Sequence, residues 1–151
     1  KLDAASSRSL RELQRDSRQT VQELSAKVGL SVSPCWRRVK ELEASGVVRR
    51  YTALVEREKV GLSACILAQV SLLRQTEGAA EQFESAMHAC AEVIECYSVT
   101  GDADYVIKVV LPDVKAYDAF LHRVMFKIKD IGTLRSMVVL REVKYETALP
   151  V

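Results

Sequence analysis

The spacing of the apolar residues changes near Gly46, and this change limits the chain to folds in which a helical part precedes a mixed part. Before Gly46 the apolar side chains recur every three or four positions, as on one face of an α-helix. They form three groups: Leu10 and Leu13; Val21, Leu24 and Val28; and Cys35, Val39 and Leu42. Gly29 follows the second group, where a helix often ends on a glycine. About four residues join the second and third helices, which is the spacing of a helix-turn-helix unit.

The third helix has a start signal of its own in Ser33 and Pro34. A serine oxygen caps free N–H groups and proline suits the first helical position, so we predict Ser33 as the N-cap and Pro34 as the first helical residue. At about 100° per residue, Cys35, Val39 and Leu42 face inward. The outward face carries Ser33, Arg37, Lys40, Glu41 and Ala44, and the flanks carry Trp36 and Arg38.

After Gly46 the pattern predicts a strand, a linker and then a mixed domain. β-Branched and aromatic residues favour a strand over Gly46–Val55, and the charged stretch Glu56–Gly61 favours a linker. Beyond it come a strand over Ile66–Leu72, a helix over Ala79–Cys90, and the strands VIECYSVT and DYVIKVVL around a tight Gly101–Asp102 turn. Then follow a helix that starts at Pro112–Asp113, with an apolar face that runs from Val114 to Ile128, and the final strand LRSMVVLREVKYE. Strand, helix, strand, strand, helix, strand is the ferredoxin-like order.

We therefore predict an α+β protein in three parts. Residues 1–46 form a three-helix helix-turn-helix domain, residues 47–61 form a hinge strand and linker, and residues 62–151 form a ferredoxin-like βαββαβ domain. Both helices of the last domain cover one face of its sheet. The other face carries further apolar side chains, so a lone subunit exposes a sizeable apolar patch, and this favours a homo-oligomer.

The charge is unevenly distributed along the chain. Up to Gly61 there are 13 Lys and Arg against 8 Asp and Glu, and after it 9 against 12. A basic segment of this kind indicates a polyanionic partner, although the excess is also compatible with an ordinary soluble surface. No apolar run is long enough for a membrane helix and the first residues lack a signal-peptide core, so we expect a cytoplasmic protein with no membrane partner.

The sequence offers little for catalysis or metal binding. The four cysteines form no C-x-x-C pair, and His88 and His122 do not have zinc-ligand spacing, so we predict no metal, no cofactor and reduced, partly buried thiols. There is no nucleophile motif and no glycine-rich phosphate loop, and Asp102 and Asp104 have no evident general-base partner. An enzyme is therefore the weakest of the functional classes.

The basic third helix has two interpretations. As an isolated helix, its Arg37, Arg38 and Lys40 would form a solvated face that pairs with neighbouring glutamates. As the second helix of a helix-turn-helix unit it would enter the major groove of DNA, where Ser31 and Ser33 meet phosphates and an arginine reads guanine. The short turn before the helix favours DNA binding. Trp36 is then interpreted as flanking core rather than as a base-stacking platform.

Three stretches of the chain resemble the Lrp/AsnC, or feast/famine, family of transcriptional regulators. They are LD...L..LQRDSR from Leu2, ELSAKVGLSVSPCWRRVKELEASGVVRRYTAL from Glu23, and VIECYSVTGDADYVIKV from Val93. The resemblance implies a regulator of amino-acid metabolism that binds double-stranded DNA through the recognition helix Ser33–Ser45. It assigns the DNA contacts to Ser31, Ser33, Trp36, Arg37, Arg38 and Lys40. It also implies a homodimer joined through the strand 47–55, with sheets packed face to face, which assembles further to an octamer.

The resemblance places a small amino-acid effector near contacts between dimers. The residues implied are Val99, Gly101, Asp102, Ala103 and Asp104 of the turn, with Ser136 on the last strand. A glycine turn exposes N–H groups for a carboxylate, and an aspartate receives an ammonium group. From the residues alone, TGDADY is a hairpin turn with two solvated acids.

Three residues depart from the family pattern. Ser6 stands where a second Asp is usual, which predicts a weaker cap or salt bridge in the first helix. Ala103 replaces an aromatic residue, and Ser136 replaces a threonine. An alternative function is an amino-acid sensor or assembly module whose helical head contacts protein rather than DNA.

Overall fold

Three α-helices precede Gly46 in the computed structural model, which describes residues 2–73 and 77–151. They are α1 (Ala4–Arg15), α2 (Val21–Val28) and α3 (Val32–Ala44). Leu24, Val28 and Cys35 form the buried centre of their core. The apolar spacing therefore predicted the number and the inner faces of these helices.

The first two helices begin at side-chain caps. The Asp3 carboxylate accepts a hydrogen bond from the Ser6 N–H at 2.7 Å at the start of α1. Thr20 and Glu23 form a reciprocal capping box at the start of α2, and Gly29 ends that helix in the left-handed conformation (φ 72°). These caps satisfy backbone groups that a helix end leaves unpaired, and they set the short turn before α3.

The prediction for the start of α3 was wrong by two residues. Ser31, not Ser33, is the N-cap, and the helix begins at Val32, so that Pro34 is its third residue. The first helical hydrogen bond runs from the Cys35 N–H to the Ser31 carbonyl at 3.1 Å. Proline is tolerated at this third position because no N–H before Cys35 has a partner within the helix.

No strand forms over residues 47–55, although the residues favour one. The segment has no regular secondary structure and is mostly exposed, and none of the four strands described for residues 2–73 and 77–151 pairs with it. Strand propensity alone does not provide the backbone partner that a ladder requires, so the predicted hinge strand is absent from the single chain. A 3₁₀ turn, Arg57–Val60, follows and ends at Gly61 (φ 80°).

The rest of the chain forms a four-stranded antiparallel sheet with two helices. The elements are β1 (Ala64–Leu72), α4 (Glu77–Ala89), β2 (Val93–Ser98), β3 (Tyr105–Leu111), α5 (Val114–Arg123) and β4 (Ile131–Val138), and the strand order is β2-β3-β1-β4. Alternate residues of β1 and β3, such as Ile66 and Ile107, are buried with Phe83 of α4 and Phe120 of α5. This confirms the predicted α+β class and the ferredoxin-like order.

Most boundaries in this domain differ from the prediction by one to three residues, and three differences are larger or change the connection. The connection between β2 and β3 spans residues 99–104 rather than a two-residue turn. Helix α5 ends at Arg123 and is followed by a 3₁₀ turn, Met125–Lys127. Strand β4 ends at Val138 instead of continuing to residue 146, because its partner β1 begins at Ala64 and the Val139 N–H makes the last bond, to the Cys65 carbonyl.

The chain divides into two compact units. We call the unit formed by residues up to Leu54 together with 143–151 the head, and the unit formed by residues 55–142 the body. The predicted ranges 1–46, 47–61 and 62–151 include residues 1 and 74–76, which lie outside the described part. They differ from these units in two respects: the predicted linker is divided between head and body at 54–55, and the C-terminal segment 143–151 belongs with the head. Among the residues described, no helix is long and apolar enough to cross a membrane.

Candidate DNA-binding surface and ligand-binding turn

The outward face of α3 presents Arg37 to solvent. Its side chain is 75% exposed, and its nearest acid, Glu41, lies 3.7 Å from Nε, which is too long for a good hydrogen bond. Trp36 beside it is 55% exposed, so its interpretation as flanking core was wrong. Helical geometry places Ser33 and Lys40 on the same side as Arg37, so this face carries both basic and hydroxyl groups.

The start of α3 is also accessible. Ser31 and Ser33 are exposed, and the Ser31 hydroxyl makes no capping hydrogen bond. The amides of the first turn therefore have no side-chain cap, and the partial positive charge of the helix start is open to an anion.

Arg38 lies in a different environment from Arg37, although the two are neighbours in sequence. Its Nη1 donates to both carboxylate oxygens of Asp3, at 2.8 and 2.7 Å, and to the Ser6 hydroxyl at 2.9 Å. Its buried Nε has no partner in the described part of the chain. The Ser6 N–H and hydroxyl and the Arg38 guanidinium, in that order, lower the pKa of Asp3 from 3.8 to about 2. Arg38 thus fastens α3 to the start of α1.

Lys40 also has an internal partner. Its Nζ lies 2.8 Å from the Glu43 carboxylate, and the Tyr51 hydroxyl donates to the same carboxylate at 2.8 Å. These two bonds lower the pKa of Glu43, while burial and Glu43 raise the pKa of Tyr51 to about 12. Glu43 therefore links α3 to Tyr51 in the segment 47–55, which follows the helix. Lys40 stays half-exposed, so its charge still contributes to the surface.

The turn between β2 and β3 is fixed to the end of β1. The Asp104 carboxylate accepts from the Leu72 N–H at 2.7 Å, and the Ser71 hydroxyl donates to the Asp102 carbonyl at 3.1 Å. Gly101 adopts φ 107°, a conformation that L side chains rarely take. Asp104 is therefore a structural residue of the turn, whereas the Asp102 side chain is exposed. Val99 and Ala103 complete the turn.

Ser136 is separated from this turn within one chain. It pairs with Ala68 on β1, and the Tyr117 hydroxyl of α5 lies 2.5 Å from its Oγ. Directly paired residues share a face of the sheet, so Ser136 points to the side that the helices cover. The turn is bonded to Val70, Ser71 and Leu72, two to four residues or roughly 7–13 Å further along β1. It also connects β2 and β3, which lie on the opposite side of β1 from β4. The two parts of the predicted effector site therefore do not meet in one subunit.

The structure also contains features that sequence reasoning missed. A cavity of about 350 Å³ lies between α4 and β2, where the Tyr105 hydroxyl donates to Glu84 at 2.6 Å. Burial and Glu84 raise the pKa of Tyr105 to about 12. No periodicity or motif indicates this pair, because its residues lie 21 positions apart. Within residues 2–73 and 77–151, no three His, Cys, Asp or Glu side chains are grouped as metal ligands.

Matches to known protein families define the class of protein to which this geometry belongs. Residues 10–49, which include α2 and α3, match a winged helix-turn-helix DNA-binding domain, and residues 65–149 match an Lrp/AsnC ligand binding domain. The protein is thus a transcriptional regulator that combines a DNA-binding helix-turn-helix with a ligand-binding domain.

The chain belongs to the Lrp/AsnC family. It is 37% identical to the leucine-responsive regulatory protein of Klebsiella pneumoniae over 98% of this chain and 90% of that protein. A transcriptional regulator from Neisseria meningitidis, solved as an L-Met complex, shares 36% identity, with a TM-score of 0.94 over 99% of this chain and 97% of its own. A regulator of the AsnC family from Agrobacterium tumefaciens shares 38% identity, with the same TM-score and coverage. These relatives confirm the resemblance inferred from the sequence.

Proposed function

We propose that this regulator reads its operator with the exposed face of α3 and that a small amino acid changes its affinity for that operator. The observation that supports the first part is the exposure of Arg37 on a helix whose other two basic residues have internal partners. In the proposed complex Arg37 contacts a base edge, because an arginine donates two parallel hydrogen bonds to guanine. Ser31, Ser33 and the first-turn amides of α3 contact phosphates.

In this proposal the other basic residues of α3 support the contact that Arg37 makes. Lys40 adds positive charge near the DNA backbone, and Arg38 holds α3 in place by binding the start of α1. Trp36 is exposed and packs against the sugar and phosphate groups beside Arg37. Regulation rather than catalysis is also favoured by the relatives, which are named as regulatory proteins.

The proposed ligand is a free amino acid. Two solved relatives, from N. meningitidis and from Mycobacterium tuberculosis, are complexes with L-Met. In this chain the backbone amides around Gly101 would receive the carboxylate, and Asp102 the ammonium group. Because Ser136 is remote from the turn within one subunit, a complete site needs a second copy. This supports a homodimer that assembles further, with an octamer as the proposed end state.

A binding experiment tests the proposal. A duplex is selected by the full-length protein from a random-sequence library, and its Kd is measured by fluorescence anisotropy with and without L-leucine or L-methionine. We expect salt-sensitive, sequence-specific binding that shifts with at least one amino acid, and loss of affinity in Arg37→Ala. Arg141→Ala, an exposed arginine of the body, is the matched control and should bind like the wild type.

Two other results would favour the competing functions. Equal binding to all duplexes, unaffected by Arg37→Ala, would support a sensor or assembly module whose head contacts protein. Turnover of an amino acid by the pure protein would support an enzyme.

A further inference from the structure

The C-terminal segment 143–151 follows the body in sequence and yet packs with the head. The chain therefore connects the two units twice, once at 54–55 and once at 142–143. The second connection continues from β4, the strand that carries Ser136 of the proposed ligand site. The segment contacts α1 of the head, so a displacement of β4 can pass along the chain to the residues that bind that helix.

A side chain of α1 binds this segment. The Gln14 amide of α1 donates to the Leu149 carbonyl at 3.1 Å, and its oxygen accepts from the Leu149 N–H at 2.6 Å. This reciprocal pair imitates one rung of a β-ladder, because a glutamine amide has the same donor and acceptor as a peptide group. The Glu146 carboxylate accepts from the amides of Thr147 and Ala148, which orders the approach to Leu149.

The docked segment is bound more by these hydrogen bonds than by burial. The Leu149 side chain is 68% exposed, and an open cavity of about 580 Å³ remains among α1, residues 47–54 and the end of the chain. A well-packed core leaves no such space. The segment is therefore held by directional hydrogen bonds to its backbone, while the Leu149 side chain buries little surface. A segment held in this way is typical of one that detaches by local unfolding.

The other end of α1 reaches the recognition helix. Asp3 caps α1 and, with Ser6, holds Arg38 of α3, while Gln14 lies in the last turn of the same helix. Twelve helical residues form a rod of about 18 Å that transmits a displacement with little bending. Gln14, at one end of α1, is thus linked through the helix to Asp3 and Ser6 at the other end, and these two residues bind Arg38 of α3.

We propose that Gln14 is a positioning residue that couples the ligand-binding body to the DNA-binding head by holding the C-terminal segment 147–151. This inference rests on the proposed function, since it assigns a route for the amino-acid response. Ligand binding beside Ser136 displaces β4, the C-terminal segment transmits the displacement to Gln14, and α1 transmits it to α3. Gln14 contacts neither DNA nor ligand in this scheme.

The test measures the coupling ratio, the operator Kd without the amino acid divided by the Kd with it, in the full-length protein. The amino acid is whichever of the twenty changes wild-type binding most, and couplings of this kind are typically about 5–150-fold. Gln14→Leu should bring the ratio to about 1–2-fold while ligand affinity and ligand-free operator Kd stay within about twofold of wild type. Gln14→Glu keeps the oxygen that accepts from the Leu149 N–H but turns a second oxygen toward the Leu149 carbonyl, so its coupling ratio should lie between those of the wild type and Gln14→Leu. The control is Gln82→Leu, on the exposed face of α4, which should match the wild type.

A second variant removes the same contact from the other side. Leu149→Pro deletes the N–H that bonds to Gln14, and its coupling ratio should fall like that of Gln14→Leu. The double variant should show no further loss, since the two substitutions remove one contact. Light scattering of each variant should give the wild-type mass.

The outcomes separate this inference from the proposed function. A wild type that binds its operator but responds to none of the twenty amino acids would refute the amino-acid response and this coupling together. A responsive wild type with full coupling in Gln14→Leu, or additive losses in the double variant, would overturn the inference alone. So would loss of ligand-free operator binding or an altered mass in Gln14→Leu, because Gln14 would then be merely structural.

Discussion

Replacing each of the two adjacent arginines of α3 separately should weaken operator binding for different reasons. Arg37 is 75% exposed and has no close partner within hydrogen-bond distance, so Arg37→Ala should change the free energy of unfolding by less than about 0.5 kcal/mol. If it reads a base, its loss should cost about 1–3 kcal/mol of operator binding, roughly 5–150-fold in Kd, and relax specificity at one position. Thermal melts and anisotropy titrations against matched and mutated duplexes measure these two quantities.

Arg38→Ala should instead destabilise the head. The hydrogen bond to Ser6 alone is worth about 1 kcal/mol, and the bonds to Asp3 and the packing of the aliphatic stem add to it. A loss of 1 kcal/mol lowers the Tm of a domain of this size by about 4–8 °C. Its operator affinity should fall chiefly because α3 is no longer held, so the loss should be similar for all duplexes.

One result would refute this distinction. If Arg38→Ala melted like the wild type and lost discrimination at a single base pair, Arg38 would be the residue that reads DNA. The salt dependence of operator binding provides a further check on both variants. A variant that has lost a phosphate contact shows a slope of log K against log salt that is smaller by about 1.

Further predictions concern the capping carboxylate, the helix-to-strand bond and the turn. Because its pKa in the folded protein is lowered, Asp3 contributes stability that is complete above pH 3.8 and is lost as the pH falls through about 2. Acid titrations followed by circular dichroism should therefore show a smaller loss of stability in this range for Asp3→Asn than for the wild type. Tyr117→Phe removes the bond to the Ser136 hydroxyl and should cost about 0.5–1.5 kcal/mol in denaturant unfolding; an unchanged midpoint would mean that the bond contributes nothing. Gly101→Ala should cost about 1–2 kcal/mol through its positive φ alone, because an added Cβ meets no atom within 4 Å, and an unchanged Tm would contradict this strain.

Ser6 illustrates how a departure from a family pattern can be accommodated. The family usually has a second Asp at this position, and the sequence indicated a weaker cap or salt bridge. In the structure the Ser6 N–H completes the Asp3 cap, and its hydroxyl accepts from Arg38. The carboxylate of Asp3 therefore forms an ion pair between α1 and α3 with Ser6 as a neutral partner.

Much of the fold followed from local patterns. The three head helices and the strand-helix order of the body were predicted because the 3.6-residue and two-residue periods are properties of short segments. The boundaries were less predictable. Ser31 and Ser33 both satisfy the rules for an N-cap, and Pro34 is compatible with any position of the first turn, so the sequence could not choose between them.

The sequence by itself determined the fold class, the basic character of the head and the group of residues from which the site is built. Only the tertiary structure decided the roles within that group: Arg37 faces solvent while Arg38 binds Asp3, 35 positions away, and Asp104 binds Leu72 while Asp102 stays exposed. It also decided that residues 47–55 pair with no strand in the described part of the chain and that the C-terminal segment returns to Gln14. The physical reason is that the periodic spacing of apolar residues and the capping of helix ends depend on residues that are close together in the sequence. Hydrogen bonds between distant residues depend on how the finished helices and strands pack together.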